Sequence, residues 1–276
     1  MMSIVEEALR HGINWFDTAE IYGQSEEALA VALDELGVGA HDVAIATKWW
    51  PLFRSAEHME RTILERRRRL HDRPIVLYQI HQPYSRSSIA EQMDQMARLL
   101  EQGLIRHAGV SNFSAKAMRE ASRQLEKHGY RLASNQVRYN LVDRRIEENG
   151  ILEVAQELGV TIIAYSPLAQ GLLTGKFHRE SSRPRGMRRW DPHFRPTRLQ
   201  RIRPLIEALD QLAEKYRVTT AEVALNWVIT YPGDRVMAIP GATRVSQAAQ
   251  NAGAMGWRLS PEERQFLTEH AASIPF

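Results

Sequence analysis

Asp17, Tyr22, Lys48 and His81 are the residue types of a proton-delivery set, and each stands where an apolar run gives way to a turn. A phenol has a reference pKa of about 10 and protonates a carbonyl poorly at neutral pH unless it is tuned. A lysine ammonium beside it favours the phenolate. A carboxylate beside the lysine holds that ammonium charged and oriented. A histidine in the same place can hydrogen-bond a carbonyl oxygen and align it. One residue is present for each role, and reduction of a carbonyl by a partnered hydride donor is the reaction such a set suits. Singly, each has a plain structural alternative: a turn tyrosine, a structural ion pair, a satisfied core histidine. The common spacing favours the chemical reading.

Asp17, Lys48, His81, Ser111, Gln136 and Tyr165 lie 31, 33, 30, 25 and 29 positions apart along the chain. One strand-plus-helix unit takes about 30 residues, so one such residue per unit, always at a strand's C-terminal end, points to the common centre of a barrel. Strands are expected near 14–17, 43–47, 75–81, 107–111, 133–137, 161–165 and 236–239. Helical patterns run over 4–10, 25–36, 56–70, 89–102, 115–128, 151–158 and 205–229. This alternation predicts an α/β fold of the (β/α)8 TIM type. Seven core strands can be counted, and a closed eight-stranded barrel would need one more ahead of residue 1: either the true start lies upstream, or the barrel is open, or another element fills the gap. A single domain over 1–276 is expected. Residues 177–204, with nine arginines and four prolines, are expected to form a long loop. It is either a clamp over a phosphate-bearing ligand or a solvated excursion. The run Arg66–Arg69 closes a helix, where cations suit the dipole, and is expected to be a solvated face.

The net charge of +3, with acids and bases interspersed, argues for solubility rather than nucleic-acid binding. The absence of cysteine excludes disulfides, thiolate metal sites and a cysteine nucleophile. The ten histidines show no ligand spacing, so no metal is expected. The N-terminus has early acids and no apolar core of a signal peptide, and no run approaches the length of a membrane span. A cytoplasmic protein acting on a small molecule is expected.

The hydride donor needs its own residues. Ser111, Asn112 and Gln136 end two strands with amides and a hydroxyl that suit a carboxamide. Tyr165 offers a flat ring for stacking. Ser166-Pro167-Leu168-Ala169-Gln170-Gly171 is turn-rich, and its backbone N–H groups could hold a pyrophosphate. Gly241, Thr243 and Arg244 lead from the last strand into a helix carrying Gln247, Gln250 and Asn251, a helix start with a cation that suits a phosphate. No G-x-G-x-x-G follows a strand, which disfavours an ordinary dinucleotide-binding fold. Trp49, directly after Lys48, is expected to wall the substrate pocket, with Trp50 a weaker candidate.

Gly12-Ile13-Asn14-Trp15-Phe16-Asp17-Thr18-Ala19-Glu20-Ile21-Tyr22-Gly23 resembles the first signature of the aldo-keto reductase family, and Leu99 through Phe113 its second. Ala164-Tyr165-Ser166-Pro167-Leu168 and Ile239-Pro240-Gly241-Ala242 are similar to its cofactor-binding ends. The resemblance covers essentially the whole chain, and it extends to the potassium-channel β subunit branch. It implies a (β/α)8 barrel, lacking here the family's opening hairpin and first strand, that binds extended NADPH in preference to NADH. By the same resemblance Tyr22 is the proton donor, Lys48 and Asp17 tune it, and His81 positions the carbonyl. Ser111, Asn112 and Gln136 would hold the carboxamide beneath a stacked Tyr165. Arg244 would meet the adenosine 2′-phosphate, with Gln247, Gln250 and Asn251 around the adenine end. His81, rather than an acid, implies carbonyl rather than double-bond reduction. Val76 stands where many members carry aspartate, Gln250 where some carry glutamate, and Gly241 where one branch has lysine. The implied activity is NADPH-dependent reduction of aldehydes or ketones. The alternatives are a cofactor-binding regulatory subunit on the same fold and a lyase using Lys48 as a Schiff base, against which Asp17 argues.

Overall fold

The computed structural model describes residues 1–179, 194–230, 235–272 and 274. Strands and helices alternate: α1 (Met2–Arg10), β1 (Trp15–Asp17), α2 (Ser25–Glu35), β2 (Ala44–Trp49), α3 (His58–Arg69), β3 (Ile75–Ile80), α4 (Ile89–Glu101), β4 (His107–Ser111), α5 (Ala115–Glu126), β5 (Leu132–Arg138), α6 (Ile151–Leu158) and β6 (Thr161–Tyr165). Then come α7 (Lys176–Arg179), α8 (Pro196–Tyr216), α9 (Thr220–Thr230), β7 (Val236–Ile239), α10 (Val245–Gly253) and α11 (Pro261–Ala272). The strands form one sheet in sequence order, β1 to β7. Every strand expected from the sequence is present within two or three residues.

Two units can be described separately. The first holds Met1–Val137, Ile146–Ile163 and Thr243–Ala248. Its strands β1 to β5 pair in parallel, with Asp17 opposite Ala46, Lys48 opposite Gln79, Gln79 opposite Gly109, and Ser111 opposite Gln136. Strand side chains alternate between the two faces, and the pairing converts that alternation into layers. On β2 and β3, Lys48, Gln79 and His81 share one face. Thr47, Trp49, Tyr78 and Ile80 share the other, against the helices. The helices cover that second face with apolar stripes at helical spacing: Met93, Met96, Ala97 and Leu99 on α4, for example, are all fully buried. Helix α4 starts with a capping box, in which Ser88 Oγ accepts from Glu91 N–H while the Glu91 carboxylate accepts from Ser88 N–H.

The face turned to the helices also holds a buried charge network. The Glu26 carboxylate accepts from Thr47 Oγ1 at 2.6 Å and pairs with Arg66 at 3.0 Å. Both side chains are at most 3% exposed. Burial pushes the Glu26 pKa upward against the pull of Thr47 and Arg66. Arg66 is therefore not a solvated member of the arginine run, as its position in the sequence suggested. It is turned inward because Glu26 needs a cation there.

The second unit holds Arg138–Arg145, Ala164–Ala242 and Ala249–Phe276. Its core centres on Trp227, which packs 5.4 Å from Tyr139 and donates its indole N–H to Thr268. The sequence pattern is corrected here in two places. The stretch expected to be loop as far as Pro204 is already helical from Pro196, which sits in the first turn, where a missing N–H costs nothing. Ile202, Leu205, Ile206, Leu209 and Leu212 form its buried stripe. The single helix expected over 205–229 is two. Arg217 adopts φ +57° and ends α8, and Thr219 and Glu222 cap α9 reciprocally. Residues 180–193, the middle of the arginine-rich loop and of the clamp expected there, lie outside the described residues.

Candidate active site

Asp17, at the end of β1, and Lys48, near the end of β2, form an ion pair, with the Lys48 side chain fully buried and that of Asp17 8% exposed. Lys48 Nζ donates a second hydrogen bond to Thr18 O at 2.8 Å. Burial drives the Lys48 pKa below its ordinary value, and the Asp17 carboxylate works against that shift. The Lys48 ammonium lies 5.1 Å from the centroid of the Tyr22 ring. Tyr22 sits on the turn after β1, with Gly23 at φ +62° completing it, and it is 47% exposed. Its hydroxyl is 3.5 Å from His81 Nε2.

His81 is buried, and its pKa is lowered to about 4, first by burial and then by the Lys48 charge. It is therefore neutral at pH 7. The four residues expected to act together are brought together. Only Tyr22 is substantially open to solvent.

The rim of this site is tied down. The Glu20 carboxylate accepts from the Trp50 backbone N–H at 3.0 Å and from Arg54 at 2.6 Å. Arg54 O accepts from Arg86 N–H and Ser85 Oγ. The turns after β1, β2 and β3 are thus bonded to one another. The pocket wall expected at Trp49 is corrected. Trp49 is fully buried and its indole donates to His58 Nδ1 on α3, whereas the half-buried Trp50 meets His81 edge-on at 5.3 Å. Strand alternation explains the exchange, because Lys48 and Trp50 share a face and Trp49 has the other. That periodicity was available in the sequence.

Ser111 ends β4, and Asn112 follows it at φ +61°. Ser111 Oγ donates to Gln136 O, and Asn112 Nδ2 donates to Ser111 Oγ at 3.0 Å and to His81 O at 3.4 Å. Gln136 is buried, and its amide nitrogen donates to Asp17 Oδ2 at 2.9 Å and to Gln79 Oε1 at 3.4 Å. Ser111, Asn112 and Gln136 thus adjoin the proton-delivery set directly. Gln79, missed in the sequence, joins them. It lies two residues before His81, on the same face of β3, and that alternation could have found it.

In the second unit, Tyr165 is half-buried, with the Arg138 guanidinium 5.7 Å from its ring centre. Ser166, Ala169, Gln170 and Gly171 all have positive φ. Leu168 O accepts from Gly171 N–H and Leu173 N–H. A methyl group at Gly171 would lie 3.3 Å from Lys176 Nζ, so this turn carries a cation that the sequence pattern did not single out. Gly241 is exposed, with open space where a side chain would stand. Asn251 Nδ2 donates to Pro240 O at 3.4 Å, and Gln250 is exposed.

At the start of α10, Gln247 Oε1 accepts from Thr243 N–H at 2.7 Å, from Thr243 Oγ1 at 3.1 Å and from Arg244 N–H at 3.1 Å. Gln247 Oε1 is therefore engaged in capping its own helix. The Arg244 side chain is exposed.

The aldo/keto reductase sequence pattern matches residues 1–272. The chain belongs to the aldo/keto reductase family. An uncharacterized oxidoreductase of Mycobacterium tuberculosis is 40% identical over 273 residues, a span covering 98% of this chain and 81% of the relative. A chloroplastic pyridoxal reductase of Arabidopsis thaliana is 33% identical over 97% of this chain and 75% of its own. A glycerol dehydrogenase structure from Gluconobacter oxydans superposes with a TM-score of 0.87 at 30% identity, covering 99% of this chain and 85% of that one. An aldo/keto reductase of Klebsiella pneumoniae, solved with NADP and acetate, gives 0.75 at 28% identity over 97% and 83%. The barrel fold class expected from the sequence is borne out by these superpositions, and the chain is an oxidoreductase of this family. Among the described residues, no helix is long and apolar enough to cross a membrane.

Proposed function

We propose that this aldo/keto reductase reduces aldehydes or ketones with NADPH, and that Tyr22 supplies the proton. The observation that carries the reading is the division of labour around Tyr22. With its pKa lowered to about 4, His81 holds no spare proton at pH 7, so it orients a carbonyl oxygen rather than protonating it. Tyr22 OH, 3.5 Å from His81 Nε2, reaches the same oxygen. The Lys48 ammonium behind the ring stabilises the phenolate left when the proton departs, and Asp17 holds that ammonium in place. Bound NADPH supplies the hydride that makes the other half of the reduction.

The residues fit such a group. Both Gln136 amide protons are spent on Asp17 and Gln79, which leaves its carbonyl oxygen to accept from a carboxamide. Ser111 and Asn112 stand beside it, and Tyr165 offers a ring to stack on. The Ser166–Gly171 turn, with Lys176 over Gly171, suits a phosphate pair. Arg244 suits the 2′-phosphate and is the basis for preferring NADPH over NADH, while Gln250 and Asn251 follow on the same helix.

The test is titration of the purified chain with NADPH and NADH by tryptophan quenching, followed by turnover over a panel of carbonyls. Arg244→Ala should lower the NADPH-to-NADH affinity ratio by about ten-fold or more, the loss of one charge-assisted contact. An unchanged ratio would remove Arg244 from the 2′-phosphate. Selective binding with no turnover on any carbonyl would favour a regulatory subunit over a reductase.

A further inference from the structure

We infer that Gln79 is a positioning residue that ties the Asp17–Lys48 pair to the amide facing the cofactor, and so fixes which atom Gln136 offers. This rests on the proposed NADPH reading. An ionised carboxylate only accepts hydrogen bonds. Asp17 Oδ1 is taken by Lys48, and Oδ2 faces Gln136 Nε2 at 2.9 Å and Gln79 Nε2 at 3.3 Å. Both glutamines must therefore turn their nitrogens toward Asp17. Gln79 is then left with Oε1, which accepts from Gln136 Nε2 at 3.4 Å. Gln136 Nε2 carries two protons and has two acceptors. Turning that amide over would set its oxygen against Asp17 Oδ2 and against Gln79 Oε1, two repulsions instead of one. Gln79 thus doubles the penalty for the wrong orientation of Gln136.

The barrel wall is shaped around this arrangement. Gln79 is fully buried and pairs in register with Gly109. A Cβ at Gly109 would collide with Ser134 Oγ and come within 3.1 Å of both Gln79 Cγ and Leu77 Cδ1. The bare backbone at Gly109 thus leaves room for Gln79, among its neighbours, beside β4.

The consequence is selective. Only a ligand that donates an N–H to Gln136 benefits from the fixed oxygen. NADPH has that carboxamide N–H, and its 3-acetylpyridine analogue has a methyl group in the same place. The experiment measures the dissociation constants of both by tryptophan quenching for the full chain, Gln79→Met and Gln79→Glu. The native chain should bind NADPH about ten-fold more tightly than the analogue, the worth of about one satisfied hydrogen bond. Gln79→Met removes the tether, so the ratio should fall toward one, mainly by weaker NADPH binding. Gln79→Glu keeps an acceptor for Gln136 Nε2, and with a proton shared against Asp17 it keeps the donor as well, so it should restore most of the ratio.

A ratio unchanged in Gln79→Met overturns the inference. So does an equal loss of both ligands in Gln79→Met, which is what a packing role alone would produce. Should Gln79→Met not fold, a Gln79→Glu chain that loses the ratio overturns the inference, and one that keeps it supports it. If the native chain binds neither ligand, the NADPH reading itself fails, a result distinct from all of these.

Discussion

Replacing Asp17 by asparagine isolates the electrostatic element on which the site depends. Lys48 is wholly buried, and besides Asp17 it has the Thr18 carbonyl as a partner. Removing the carboxylate leaves an uncompensated ammonium, and breaking a buried pair from one side costs about 3–5 kcal/mol. Asparagine cannot mimic the carboxylate. Either its NH2 faces the Lys48 ammonium, or it faces the two glutamine amides that now donate to Oδ2.

The cost must also depend on pH, with a definite sign. Burial already depresses the Lys48 pKa, and Asp17 opposes the depression, so in the variant the folded pKa falls further. Between that value and the unfolded value the unfolded chain binds the extra proton, and the variant's stability rises with pH by up to about 1.4 kcal/mol per unit. The native chain has no such slope until pH reaches its own, higher Lys48 pKa. The deficit is therefore largest below the variant's Lys48 pKa and narrows as pH rises above it. Urea unfolding of both chains across about pH 6 to about pH 10, followed by tryptophan fluorescence, measures it. A deficit below about 1 kcal/mol, or one of several kcal/mol that does not change with pH, would refute the reasoning.

Trp50→Ala should raise KM for carbonyl substrates by about ten-fold or more, the worth of a buried aromatic contact, with little loss of stability. Trp49→Ala should do the reverse and cost about 3–5 kcal/mol of stability as a core truncation; steady-state kinetics and urea unfolding separate the two. Arg66→Met alone should cost about 3–5 kcal/mol by stranding Glu26, while Glu26→Leu together with Arg66→Met should cost far less. A double-mutant cycle by chemical denaturation checks this, and equal costs for single and double variants would show that the pair is not the coupled unit the contacts describe.

Strands β1 to β6 were legible because a short apolar run ends near a polar or aromatic residue at a near-constant interval. Asp17, Lys48 and His81 announced themselves in that way, and the structure brings them to one centre with Tyr22. Trp49 and Trp50 show the limit of reading by adjacency. Nearness to Lys48 in sequence favoured Trp49, but alternation along β2 turns it to the helices. The start of helix α8 was hidden because its first turns are rich in arginine and proline, residues that blur a helical stripe whose buried apolar members, Ile202 and Leu205, begin late. The role of Gln79 was illegible for a different reason. An amide can donate or accept, and its partner is set by tertiary contact, for Gln136 and Asp17 across 119 positions. No local pattern encodes that choice.

The proposed reduction requires that Tyr22 give up the proton while His81, neutral at working pH, only orients the carbonyl. Single-turnover oxidation of bound NADPH by an aldehyde, followed by absorbance in the native chain and in Tyr22→Phe, tests it most directly. In Tyr22→Phe the chemical rate should fall by about 10²–10⁴-fold, the usual contribution of a positioned general acid, with NADPH affinity changed by less than about three-fold. A Tyr22→Phe chain that reduces the aldehyde at the native rate would contradict it.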